Sequence, residues 1–167
     1  MKKYCFDMSG ISNPLEVMPE DIHRSMWAEI KAIFASGQIA VTKEIYDEMI
    51  HIPGSVGDCI RDNEQNLVLE VHQGDWDWLI YIEHVSTMQV TYERVISEFN
   101  GNRRNTICLN DISIIGLGKT LQLPVVSMEA KVQQVSETKK RIPEVCGNEG
   151  VTHYDFNDFL RQEGIGN

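Results

Sequence analysis

Five acidic residues stand where a carboxylate could do chemistry. Asp7 closes the apolar run Tyr4-Cys5-Phe6 and is followed by Met8, Ser9 and Gly10. Burying it unpartnered would be costly, so it reads as a cation ligand at a strand end, or as a turn residue or helix N-cap. Glu44 and Glu48 are four apart, a spacing that puts both on one face of a helix. Asp111 directly precedes the apolar stretch 112–121, and Glu129 follows Val125-Val126. Gathered in one crevice, such acids would raise one another's pKa unless a cation were present. Mg²⁺ and Mn²⁺ accept hard oxygen ligands, and an ion of that kind supports in-line attack of water on a phosphodiester. Phosphodiester hydrolysis is the reaction this set suits. Each acid also has a plainer reading: Asp111 as an N-cap, Glu44 as a solvated first-turn residue, Glu129 as a loop acid.

These acids meet only if the chain between them folds back. Residues 2–7 read as a buried strand, with Ser9 and Gly10 in the turn after it. Ile22, Met26, Ile30, Ile33 and Phe34 predict a helix over 21–36, stopped by Gly37. Residues 39–41 are a short strand or extended link, and Thr42 caps a short helix over 43–50 that Pro53-Gly54 ends. Residues 55–100 read as several helices, with a helical period through Val90, Val95, Ile96 and Phe99. A helix over 112–121, a strand over 124–126, a polar loop over 133–141 and a helix over 143–149 follow. A strand over 151–154 and a helix over 156–162 close the chain. Alternating strands and helices predict an α/β domain with a parallel sheet. Ligands of such sheets bind beyond the carboxyl ends of the strands, where Asp7 and Glu129 fall.

Composition narrows the partners. At 42% hydrophobic and 24% charged, 167 residues suit one globular domain able to bury a core. No stretch reaches the length of a membrane span, so no membrane partner is expected. Cys5, Cys59, Cys108 and Cys146 are too scattered for a zinc pattern and read as reduced thiols of a cytoplasmic protein. A net charge of −10 argues against broad nucleic-acid binding by charge alone. A phosphate-acting site would therefore need its cations close by. The dense basic runs are Arg103-Arg104, just before Asp111, and Lys139-Lys140-Arg141. They are the candidate substrate-binding residues, with solvated loop charge as the plain alternative.

Five segments carry a family likeness: YCFDMSG, IAVTKEIYDEM, NDISIIGLGK, VVSMEAK and the ending KKRIPEVCGNEGVTHYDFNDFLRQEG. Together they resemble a PIN-like domain, the metal-dependent ribonuclease fold common among bacterial toxins of toxin–antitoxin pairs. The likeness is greatest to a prokaryotic branch long catalogued as a domain of unknown function. It is strong at both ends of the chain and weak over residues 51–100. It implies a single PIN-like domain over 1–167, an α/β/α three-layer sandwich with a central, mainly parallel sheet and a variable helical region at 51–100.

Carried over by position, the resemblance makes Asp7, Glu48, Asp111 and Glu129 the catalytic acids that hold Mg²⁺ or Mn²⁺. Glu48 is preferred to Glu44, which is left in support, because it directly precedes Met49 in the place of the family's Glu-Leu pair. Ser9 would bond water on the metal or orient Asp7, and Ser127 would shape the last turn. The chain departs from the pattern in three ways. Met8 replaces a threonine and should point away from the crevice, and Glu129 stands where aspartate is usual. Gly116 and Gly118 replace alanines, which close helix–sheet approach would explain.

The implied activity is endoribonuclease, with RNA as substrate and a cognate antitoxin as partner, the candidate being a regulator that joins a helix-turn-helix to a zinc-peptidase-like domain. A homodimer is compatible with the resemblance. Two other readings stand beside it. One is a catalytically inactive PIN-like domain that binds a protein, suggested by the acidic charge and by Trp76, Trp78 and Tyr81; core packing is the expected fate of two of these three. The other is a structure-specific nuclease acting on DNA.

Overall fold

The computed structural model describes residues 1–166. Its elements run β1 Tyr4–Phe6, α1 Ser9–Val17, α2 Arg24–Ala35, β2 Ile39–Ala40, α3 Lys43–Met49, α4 Gly54–Asp62, α5 Glu64–Leu67, α6 Trp78–Thr91 and α7 Ser97–Asn100. They continue α8 Leu109–Leu121, β3 Val125–Val126, α9 Ile142–Glu149, β4 His153–Tyr154 and α10 Phe156–Glu163. The strands form a sheet of order β2-β1-β3-β4 with every pairing parallel. This is the α/β architecture that the alternation of elements predicts.

The two-residue period of a strand divides β1 between two faces. Phe6 meets Phe34 of α2 and Phe159 of α10 edge-on at 5.2 and 5.0 Å, and Tyr4 meets Phe159 at 5.2 Å. Cys5 faces the other way, toward Cys146 of α9, and pairs in register with Val125. Gly118 of α8 lies against Val125 on that same side. Helices thus cover both faces, and one buried apolar cluster runs through the layers. Parallel crossovers need such covering because both faces of the sheet are apolar.

Local expectations differ from the structure in four places. Ser9 and Gly10 open helix α1 instead of forming a turn. The period over 89–99 does not form one helix: α6 ends at Thr91, and residues 92–96 leave it so that Ile96 pairs with Ile107. The backbone bonds Ser97 N–H to Ile107 O at 2.7 Å and Ile107 N–H to Val95 O at 3.0 Å outcompete helix continuation there. The 112–121 helix begins at Leu109. Gly116 is explained by helix–helix contact, since a Cβ there would stand 2.6 Å from Val85 of α6; only Gly118 answers to the sheet. Tyr81 is buried and Trp76 packs on the core, two of the three aromatics. All four cysteines are free thiols. Among the described residues no helix is long and apolar enough to cross a membrane.

Candidate active site

The sheet order creates a crevice. From β1 the chain leaves toward β2 on one side, and β3 continues to β4 on the other, so connections diverge between β1 and β3. That is the topological switch point where ligands of open α/β sheets sit. Asp7 leaves β1 there and Ser127-Met128-Glu129 leave β3.

Asp7 is 6% exposed. Its Oδ2 accepts the Ser9 N–H at 3.0 Å and the Ser9 hydroxyl. Ser9 Oγ in turn accepts the Met128 N–H at 3.1 Å, tying the exit of β1 to the exit of β3. Ser9 thereby orients Asp7. Gly10 allows this closeness: a Cβ on it would stand 2.8 Å from the Val126 carbonyl oxygen. Gly10→Ala is expected to cost about 1–3 kcal/mol through overpacking, despite alanine's helix preference. Gly147→Ala in α9 meets nothing within 4 Å and should be neutral or stabilising by up to about 1 kcal/mol. Urea midpoints of the two variants test the contrast; equal midpoints would refute the crowding at Gly10.

Asp111 arrives on the first turn of α8. Cys108 is the N-cap and Asp111 the third helical residue, its Oδ2 accepting the Cys108 N–H at 2.7 Å. It is therefore a capping-box acid and not the N-cap. Helix α3 is clamped to this turn at both ends. The Thr42 hydroxyl accepts the Ile45 N–H and pairs with Ser113 Oγ at 2.9 Å, and Asn110 Nδ2 donates to Glu48 Oε1. Glu48 is thus held by the neighbour of Asp111. Glu44 is exposed, and its charge acts on Tyr81 of α6. Glu129 accepts the N–H of Ile142 at the start of α9 at 3.1 Å. Ser127 is fully buried; its Oγ accepts the Glu129 N–H at 3.4 Å and pairs with His153 Nε2 at 2.8 Å. Met8 turns away from the acids, lining an apolar groove with Leu15 and Ile52.

Electrostatics join three of the acids. Burial pushes Asp111 up to about 7, and the charges of Glu129 and Asp7 push in the same direction. Glu129 is raised by burial and by Asp7, against the Ile142 N–H and the Arg141 charge. Asp7 is raised by burial, against its bonds from Ser9. Cys108 is pushed up to about 12 by burial and by Asp111. Among the described residues no three His, Cys, Asp or Glu side chains form a ready metal-holding group. The donor chemistry nonetheless fits a hard divalent cation. Every donor is oxygen, and crowded carboxylates lower their charging cost by sharing one.

The predicted basic residues separate. Arg141 caps α9 beside Glu129, and Lys139 lines a pocket with it. Lys140 turns aside to donate to the Ser136 carbonyl. Arg103 lines a different groove with Val90 and Phe99, and Arg104 is exposed. Sequence reasoning passed over His153, Lys131 and Asn110. His153 ends an apolar approach to Asp155, a weak signal, and Asn110 adjoins a candidate acid. Burial holds the His153 pKa below its ordinary value.

The profile of the family described as "Domain of unknown function (DUF4411)" matches residues 4–166. The chain belongs to this family. No curated protein matches it. The match spans every element of the DUF4411 chain, from β1 to α10, and with them all the acids of the crevice.

Proposed function

We propose that this DUF4411 protein is a PIN-like, Mg²⁺- or Mn²⁺-dependent endoribonuclease, cytoplasmic, acting as the toxin of a toxin–antitoxin module. One observation supports the reading: at the switch point the charges of Glu129 and Asp7 raise Asp111, and that of Asp7 raises Glu129. Glu48, held through Asn110, is the fourth acid of the set. A bound Mg²⁺ or Mn²⁺ supplies charge neutralisation and activates water toward the phosphodiester. The chain's own residues do the rest. Ser9 fixes the rotamer of Asp7, the Cys108 and Ile142 amides fix Asp111 and Glu129, and Arg141 offsets charge at the edge of the crevice.

Asp7→Asn and Asp111→Asn are each expected to lower metal-dependent cleavage roughly 10²–10³-fold, the scale of removing one charge-stabilising group, and to relieve growth inhibition. Assays on single-stranded RNA, tRNA and branched DNA separate a ribonuclease from a DNA-directed enzyme. Full cleavage by both variants would sink the reading.

A second reading, a non-catalytic module that binds a protein, is favoured by one surface. Leu79 and Val90 on α6 are 67% and 74% exposed, with Ile82 between them. A Mn²⁺ titration with no binding at millimolar metal would favour it over the nuclease.

A further inference from the structure

Beside the acid crevice lies a pocket of about 400 Å³ lined by Asn105, Lys131, Gln133, Gln134, Lys139 and Arg141. The chain carries 25 acids against 15 lysines and arginines. A wall of three cations and three amides, with no carboxylate lining it, runs against that balance. Among the described residues seven other cations are in ion pairs, and Lys131, Lys139 and Arg141 are in none, as are Lys2, Arg24, Arg103, Arg104 and Lys140 elsewhere. Glu137, the acid within the loop, pairs with Arg94, and Glu144 of α9 is taken up by the Val132 and Arg141 backbone N–H groups at 2.8 and 2.9 Å. It braces the two walls of the pocket against each other. Arg141 is oriented by donating to Asn105 Oδ1 at 3.0 Å.

The pocket begins where the crevice ends. Lys131 is two residues beyond Glu129, and the amide that holds the Glu129 carboxylate belongs to Ile142, next to Arg141. We propose that this pocket is a phosphate subsite, holding a backbone phosphate of the single strand whose neighbouring linkage lies over the acids. Lysines act there as point charges, and the fork of Arg141 and the amides of Asn105, Gln133 and Gln134 supply directed donors. The proposal deepens the nuclease reading and rests on it for the identity of the strand. It also adds Lys131 to the candidate contact set.

The test is the Lys131→Ala/Lys139→Ala double variant of the full chain, with Lys131→Arg/Lys139→Arg as the rescue. Inorganic pyrophosphate, titrated without divalent metal and followed by amide NMR shifts, should saturate the wild type with shifts confined to Asn105 and residues 131–141. The alanine variant should lose them, and the arginine variant should restore them. With RNA, the alanine variant should raise KM about tenfold at nearly unchanged kcat. Its salt slope should flatten by about 0.7, the value for one single-strand phosphate contact. Pyrophosphate binding lost in the variant supports the subsite even if the wild type cleaves no RNA, a result that would count against the nuclease alone. Wild-type pyrophosphate shifts together with wild-type KM and salt slope in the alanine variant would overturn the subsite. So would binding of poly-glutamate in place of pyrophosphate, which would make the pocket a contact for an acidic protein.

Discussion

Asp111→Asn should stabilise the metal-free protein at about pH 8 while disabling the proposed metal-dependent reaction. Asp111 is raised to about 7 in the fold from an unfolded value of 3.8. Above the folded value both states are ionised, and the fold carries the whole cost of the buried charge. As pH falls from about 7 toward 3.8, the folded state keeps a proton that the unfolded state has released, so stability rises. Below 3.8 both states are protonated and the difference is gone. A shift of about 3 units corresponds to up to about 4 kcal/mol. Asparagine removes the ionisation and keeps an oxygen to accept the Cys108 N–H. Urea unfolding at about pH 8 and about pH 5 should therefore show a gain for the variant that shrinks at the lower pH. Equal stability of variant and wild type at both values would refute the cost assigned to the buried Asp111 charge. Adding Mn²⁺ should stabilise the wild type, by about 2.7 kcal/mol at a hundredfold excess over Kd, and the variant far less.

Phe6→Ala should destabilise the chain by about 3–5 kcal/mol, the range for truncating a buried aromatic. Phe6 is fully buried and makes edge contacts with Phe34 of α2 and Phe159 of α10. Its backbone is in register with Val126, so the same residue sets the height at which Asp7 leaves the sheet. Phe6→Leu, which keeps most of the volume, should cost less than about 1.5 kcal/mol. Phe99→Ala, at a side chain 56% exposed, should stay within about 0.5 kcal/mol. Chemical denaturation of the three variants measures this ordering. A Phe99 cost equal to the Phe6 cost would contradict the assigned core.

Local chemistry is where the sequence speaks for itself. The spacing of Met26, Ile30, Ile33 and Phe34 is enough to mark α2, and Thr42 is enough to mark the start of α3, because both depend on neighbours within one or two helical turns. The apolar runs at 4–6 and 125–126 mark two strands of the parallel sheet, and the acids just after them mark its carboxyl edge. Where local signals compete, the same reasoning fails. Ser9 and Gly10 look like a turn, yet they open helix α1, and the glycine answers to the Val126 carbonyl of a distant strand, which a Cβ there would meet at 2.8 Å. Residues 92–96 keep a helical period, yet 92–95 turn out of the helix and Ile96 pairs with Ile107.

Among the candidate residues the division is sharper. Side-chain type and position along the chain single out Asp7, Asp111 and Glu129. Whether their charges act on one another depends on separation through space, which the strand order and the packing of α8 against β1 and β3 determine. The same holds for Glu44 and Glu48, indistinguishable by helical spacing until Asn110 takes one of them. It holds too for Lys131, which belongs to no basic run yet shares a wall with Lys139 and Arg141. Hydrophobic period and capping are settled between near neighbours; charge coupling and shared pockets arise only when remote segments pack, so they belong to the tertiary structure.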